Sequence, residues 1–338
     1  MSALRRPRVV LAALVAAGGV AAIALLGGGD SANGGADGKP GRWGTLEPSP
    51  LVRTEVGAAR IGRQIYVVGG FLPPGGSTTD QVARYDIATG AWSQVAPLPV
   101  GVNHPAVAAH RGMLYVFGGY TAGGGLSGET DALQRYDPAS DSWTRLAGSG
   151  VPRAAATLAA VGDSLYAIGG AAAGSPLRLV QVFDPAGGSW RSGPRMRVAR
   201  EHLASAVLGR RVIVLGGRAA GRNLDVVEEL ATRRGRWSRL PDLRVARSGF
   251  GAASVKGRVV AVGGEQLAEG GVTIRAVELY QPSIDRWRRL PRMITPRHGL
   301  GVASEGRRVF ALEGGPRPGF AVSDVVEVLT ISRRQLGG

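Results

Sequence analysis

Each of the six tryptophans in this chain is followed 26 residues later by a Gly-Gly or Glu-Gly pair. The tryptophans are Trp43, Trp92, Trp143, Trp190, Trp237 and Trp287, and the pairs begin at Gly69, Gly118, Gly169, Gly216, Gly263 and Glu313. A spacing that never drifts marks one structural unit used repeatedly, at close to 50 residues per copy from about Gly41 onward. Repeats of this kind override the expectation that 338 residues divide into two domains. The first Trp precedes the first pair and the last pair has no Trp after it, so the repeat is out of phase with the chain.

Four landmarks recur in each copy. Before the pair stands a short apolar run (IYVV, LYVF, LYAI, VIVL, VVAV, VFAL) that predicts a strand ending at Gly. Ahead of it lies a two-residue turn containing Gly, such as Gly62-Arg63 or Lys256-Gly257, the signal of a tight hairpin. After the pair comes a third run whose aromatic or leucine position (Tyr85, Tyr136, Phe183, Leu230, Tyr280) stands seven residues before a Trp. The Trp then opens a fourth strand. The unit is therefore four short antiparallel strands, a to d. One such sheet exposes two apolar faces, and stacking six around an axis buries both. Small residues alternate along strand a, as in Ala106 and Ala108 or Ala204 and Ala206, which suits crowding at the axis.

A Gly-Gly after strand b, an aromatic in strand c and a Trp opening strand d resemble the Kelch repeat family over roughly residues 42–330. Leu230 in place of the aromatic and Glu313 in place of the first Gly depart from that pattern. Trp-Asp repeat signatures and sialidase Asp-boxes are missing. The expected fold is all-β: a six-bladed β-propeller of four-stranded antiparallel blades over 42–332, followed by a tail at 333–338. The segment around Trp43 is a strand d without its own a to c, and the last copy has a to c without d. Their pairing would seal the final blade.

An N-terminal hydrophobic helix is expected to precede the propeller. Arg5, Arg6 and Arg8 stand before an uncharged run from Val9 to Gly29, which predicts a signal peptide or an N-terminal membrane anchor over 1–29. A Gly-rich linker follows at 30–41, and either reading places the propeller outside the cytoplasm. The net charge is +16, of which +14 belongs to residues after 40. Nearly all the basic residues are Arg, spread through every repeat without Lys-rich blocks, as GC-rich coding produces. Export and this even spread argue against nucleic acid. With no cysteine, disulfides and thiolate chemistry are excluded. Galactose oxidase, in the superfamily the chain resembles, uses a cysteine cross-linked to tyrosine, so its copper-radical chemistry is excluded too.

Strand counting puts the a–b and c–d turns on one face of the disc and the d–a and b–c connections on the other. Length variation is confined to the region of the b–c loops, which read as irregular and Gly-rich, and binding surfaces are usually built on such loops. The same face carries Arg53, Arg153, Arg200, Arg247 and Arg297, sixteen residues before each pair, with Val102 as the exception. The resemblance implies contact with acidic partners near this point, and a ring of guanidiniums at a channel mouth would suit carboxylates. The alternative is that they bond loop carbonyls and hold blades in register. Two residues on stand Glu55, His104 and His202, with His298 one residue off this position. These would form a polar cluster able to take a metal or a sugar, or simply a wet entrance. His110, near a turn on the opposite face, reads as solvated. No catalytic residue, metal or cofactor is assigned. The sequence leads to a non-catalytic binding module for a protein segment, including an acidic one, or a glycan. The rival is a sugar-processing enzyme like the sialic acid mutarotase among bacterial Kelch propellers, for which Glu55, Glu201 and Glu265 are the available carboxylates.

Overall fold

The structure, a computed structural model, describes residues 40–267 and 270–337. The helix expected at 1–29 and the linker up to residue 39 lie outside the described residues. Among the described residues no helix is long and apolar enough to cross a membrane. From residue 40 onward the chain builds six four-stranded antiparallel sheets. Blade 1 runs Gly57–Ile61, Gln64–Val68, Val82–Asp86 and Trp92–Val95 as strands a to d. Blades 2 to 5 begin with strands a at Ala106–His110, Thr157–Val161, Ala204–Leu208 and Gly251–Val255. Blade 6 takes strands a to c from Gly301–Glu305, Arg308–Leu312 and Val326–Thr330, and its strand d is Trp43–Thr45. Trp43 pairs with Leu329 and Thr45 with Glu327, so the chain closes as the phase of the repeat predicts.

Apolar alternation explains the packing. Strands b are buried along four of their five residues, because each sheet is covered on both faces. Between blades 4 and 5, for example, Ile213, Leu215 and Val227 pack on Val259, Ala261, Tyr280 and Trp287. Each such aliphatic side chain contributes about 1.5–3 kcal/mol by leaving water. The expected C-terminal tail instead turns through a short 3-10 helix, Arg334–Leu336, and Leu336 joins the core beside Ile331 and Leu329.

Three circles of hydrogen bonds tie blade to blade. In the outermost, every Trp indole N–H donates to the carbonyl of the residue four after the preceding Trp. Trp143 reaches Ala96 O at 2.8 Å, Trp237 reaches Pro194 O at 2.7 Å, and Trp43 closes the circle on Pro291 O at 2.8 Å. Trp also stacks on the strand-c aromatic opposite it, as Tyr136 and Trp143 do at 5.0 Å. In the second circle the second residue of each pair donates its N–H to the carbonyl sixteen residues before the next pair. Gly119 reaches Arg153 O at 3.0 Å, and Gly314 returns to Arg53 O at 2.9 Å. This contact explains the first glycine of the pair, since a Cβ on Gly118 would lie 2.3 Å from Arg153 O. The third circle runs at the axis through Glu55, His104, Ala155, His202, Gly249 and Gly299. Each donates its N–H to the carbonyl of the one before, from His104 to Glu55 O (2.9 Å) through Gly299 to Gly249 O (2.7 Å). Val56 N–H closes it on Gly299 O at 3.1 Å.

The five arginines do not ring the channel mouth. Arg53, Arg153, Arg200, Arg247 and Arg297 are fully buried inside the blades. Arg200 donates to Val226 O at 2.6 Å and Gly216 O at 3.2 Å, and pairs with Glu228 at 2.9 Å. Arg247 and Arg297 meet Glu278 and Glu327 at the same strand-c position, and Arg153 meets Gln181 there. The guanidiniums add a second donor to carbonyls at the ends of strands b and c: Val226 O, for example, also accepts from Gly216 N–H at 2.9 Å. They brace their own blade rather than present charge. Blade 1 has Ala83 at the strand-c position, and its Arg53 pairs bidentately with Glu313 of blade 6 at 2.8 and 2.9 Å. Glu313 thus departs from glycine to supply the missing counter-charge. His110, expected to be solvated, is only 9% exposed at the end of its strand and lies beside Tyr115.

Candidate functional site

The d–a and b–c connections do share one face, and they surround a cavity of about 240 Å³ over the axial channel. The b–c loops are less irregular than their glycine content suggests. Those of blades 1, 3, 4 and 5 each carry a small two-stranded ribbon, such as Phe71–Leu72 with Ser77–Thr78. The residue after each pair forms an antiparallel bridge with the d–a segment: Thr54 with Phe71, Asn103 with Tyr120, Ala154 with Ala171, Glu201 with Arg218, Ser248 with Glu265, His298 with Gly315. The side chains on these bridges and on the axial circle therefore sit at three repeat offsets.

The axial circle sets the floor. Its members have left-handed backbone, with φ of 54° at Glu55, 52° at His104, 50° at Ala155 and 50° at His202, where Gly249 and Gly299 have 59° and 58°. A non-glycine residue held so costs about 1–2 kcal/mol, and three of the four carry chemistry-bearing side chains. Glu55 stands between two imidazoles, its carboxylate 3.1 Å from His104 Nε2 and 3.0 Å from His298 Nδ1. His104 lies edge-on to His202, with ring centroids 4.7 Å apart, and edge-on to Tyr120 and Phe71. Glu201 pairs with both His202 Nδ1 and Arg218 Nε. Arg218 also reaches Glu265 at 3.4 Å and His202 Nε2 at 3.3 Å.

Burial and charge act against each other on these groups. For Glu55 burial is the largest influence and raises its pKa, yet His104 and His298 together hold it far below the usual carboxylate range. Burial dominates at His104 and pulls it down to about 3. Burial also pulls on His298, but its contacts with Glu55 and Glu265 win and raise it. Burial pushes Glu265 up against the pull of His298. At Glu201 burial is outweighed by His202 and Arg218, and the group is lowered. Arg218 thus holds Glu201 and Glu265, and Glu55 is held by imidazoles.

Of the residues singled out in the sequence, the structure brings together Glu55, His104, Glu201, His202, Glu265 and His298 and removes the five arginines. It adds Asn103, Tyr120, Arg218, Phe71 and Phe320. All but Phe320 were within reach of the same counting, one residue after the Arg position or one after the pair. Phe320 lies in a b–c loop of variable length, half exposed, 5.3 Å from Phe71.

Residues 55–264 match the KLHDC2/KLHL20/DRC7 Kelch-repeats domain, and residues 246–294 match the Kelch motif. The chain belongs to the Kelch-repeat family. A similar Kelch relative is the Kelch-like protein terF of Aspergillus terreus, 30% identical over 150 residues, 39% of this chain. The match spans 31% of that relative's length. The solved structure titled "Structure of YjhT" superposes with a TM-score of 0.72 at 18% identity, over 86% of this chain and 98% of that one. That likeness is one of fold. As a Kelch propeller, the protein is a module for binding, scaffolding or propeller-based catalysis.

Proposed function

We propose that this Kelch propeller is an extracytoplasmic recognition module whose mouth takes a single hydroxyl-rich ring, the terminal unit of a glycan. The observation that carries this reading is the composition of the 240 Å³ cavity. It holds roughly eight waters' volume at ~30 Å³ each, which suits one sugar ring and not an extended peptide. Its lining pairs apolar surface from Phe71, Phe320 and Leu267 with acceptors on Glu55 and Glu265 and a donor on Arg218. Such a mixture orients a ring that has apolar C–H faces and polar edges. An acidic segment is disfavoured here, because the guanidiniums that would have received it are inside the blades. Arg5, Arg6 and Arg8 ahead of an apolar run support the placement outside the cytoplasm.

Saturation-transfer NMR of the full chain with neutral hexoses and N-acetylhexosamines tests the reading. Transfer to one of them should be lost in Phe320→Ala and Glu265→Gln. No transfer to any, or transfer indifferent to both changes, would overturn it. A second reading, a sugar-processing enzyme, is favoured by one observation: two carboxylates and three imidazoles border the same cavity, and acid–base steps at a sugar use such groups. Accelerated interconversion of anomers in the same samples would favour it over binding alone.

A further inference from the structure

We infer that the floor of the mouth is a binding site for a divalent transition-metal ion, held by His104 Nε2, His202 Nε2 and a Glu55 carboxylate oxygen, with His298 Nδ1 beside it. The three ligand atoms all lie within 4.8 Å of one another. Shifts of about an ångström would close them around an ion with bonds of ~2.0–2.1 Å. This inference does not rest on the glycan reading, since it concerns only the floor.

The hydrogen bonds of the imidazoles carry the argument. Asn103 Nδ2 donates to Thr78 Oγ1 at 2.8 Å and to the carbonyls of Tyr120 and Ala122 at 3.2 Å each, which fixes the orientation of the amide. Its Oδ1 therefore faces His104 Nδ1 at 2.6 Å and can only accept, so that ring nitrogen carries the hydrogen. His202 Nδ1 is likewise committed as donor to Glu201, and His298 Nε2 to the Arg317 carbonyl at 3.0 Å. Each ring thus spends one N–H outward on a fixed acceptor and turns the other nitrogen inward. Metal-ligating histidines are held in this way, with the outer N–H bond setting tautomer and ring orientation.

The inner nitrogens of His104 and His298 meet the carboxylate of Glu55, and that of His202 meets Arg218. The lone pair of His104 Nε2 is directed at one oxygen of Glu55 at 3.1 Å, and His298 Nδ1 lies 3.0 Å from the other without a hydrogen bond of acceptable geometry. Lone pair against carboxylate is repulsive unless a cation is shared between them. Glu201 and Glu265 already share the guanidinium of Arg218, whereas the carboxylate of Glu55 meets imidazoles, which leaves it open to such a cation. Two imidazoles and one carboxylate are a donor set for Zn²⁺ and neighbouring divalent ions, with further coordination positions open. Those positions would face the cavity. Arg218 competes for His202 Nε2 at 3.3 Å and would turn away, with Glu201 and Glu265 still able to hold it.

The test strips the purified full chain with chelator, dialyses it against ZnCl₂ and counts bound metal by plasma mass spectrometry. About one ion per chain is expected for the parent and for His110→Gln, whose imidazole lies elsewhere. Glu55→Gln, His104→Gln and His202→Gln should each weaken binding on the order of 100-fold or more. Should those variants fail to fold, the parent still decides: Co²⁺ should give the intense visible absorption of a low-coordinate site. Uptake no greater than in buffer, weak octahedral absorption, or retention by folded site variants would overturn the inference.

Discussion

At the scale of single residues, the same repeat offset serves two purposes according to where its side chain can go. The arginines sixteen residues before each pair were legible as a periodic feature, but periodicity does not say whether a guanidinium turns outward or in. The sign of the answer was also periodic: Gln181, Glu228, Glu278 and Glu327 recur at one strand-c position in blades that carry the arginine, and an acidic or amide partner at fixed phase marks an internal pair. Arg200→Ala should therefore cost about 3–5 kcal/mol by leaving Glu228 buried without its partner. Denaturant unfolding checks this, and a loss near zero would mean the arginine is not a brace. Gly299 tests the axial circle. A Cβ there would lie 2.6 Å from Glu55 N at φ 58°, so Gly299→Ala should lose roughly 1–3 kcal/mol in the same assay.

At the scale of the blade, the repeat landmarks mapped directly onto elements because each answers a local need. The hairpin turn needs positive φ, the pair needs room for a neighbour's carbonyl, and Trp needs a wide outer wedge. The departures were harder to read, because their reasons lie in another blade. Glu313 looked like a weakened glycine until its contact with Arg53, 260 residues away, gave it a role. That exchange makes a specific prediction. Glu313→Gly should destabilise by about 3–5 kcal/mol, and adding Ala83→Glu should restore much of the loss by returning blade 1 to the arrangement of blades 4 to 6. Thermal melting of the single and double variants decides it; a double variant no better than the single would refute the account. The b–c loops remained the least legible elements, since their lengths differ and their short ribbons carry no shared pattern. Phe320 was missed for that reason.

At the scale of the whole molecule, the blade number and the closure followed from the phase of six tryptophans, and the shared face from strand counting alone. All three circles of inter-blade bonds pass through the joint between the chain's two ends: Trp43 to Pro291, Gly314 to Arg53, Val56 to Gly299. Deleting residues 41–48 would break the outermost and strip blade 6 of its last strand. A large drop in melting temperature is expected, and a variant melting with the parent would show that the joint is not a seal.

The blades are equal as a frame and unequal as a lining. Where the other blades offer an imidazole, a carboxylate, an amide or a ring, blade 3 offers only Ala154, Ala155 and Ala171. That sector is a row of methyl groups with nothing to donate or accept. A guest seated at the mouth must turn its least polar edge toward it, so a sixfold ring imposes a single direction on whatever it holds.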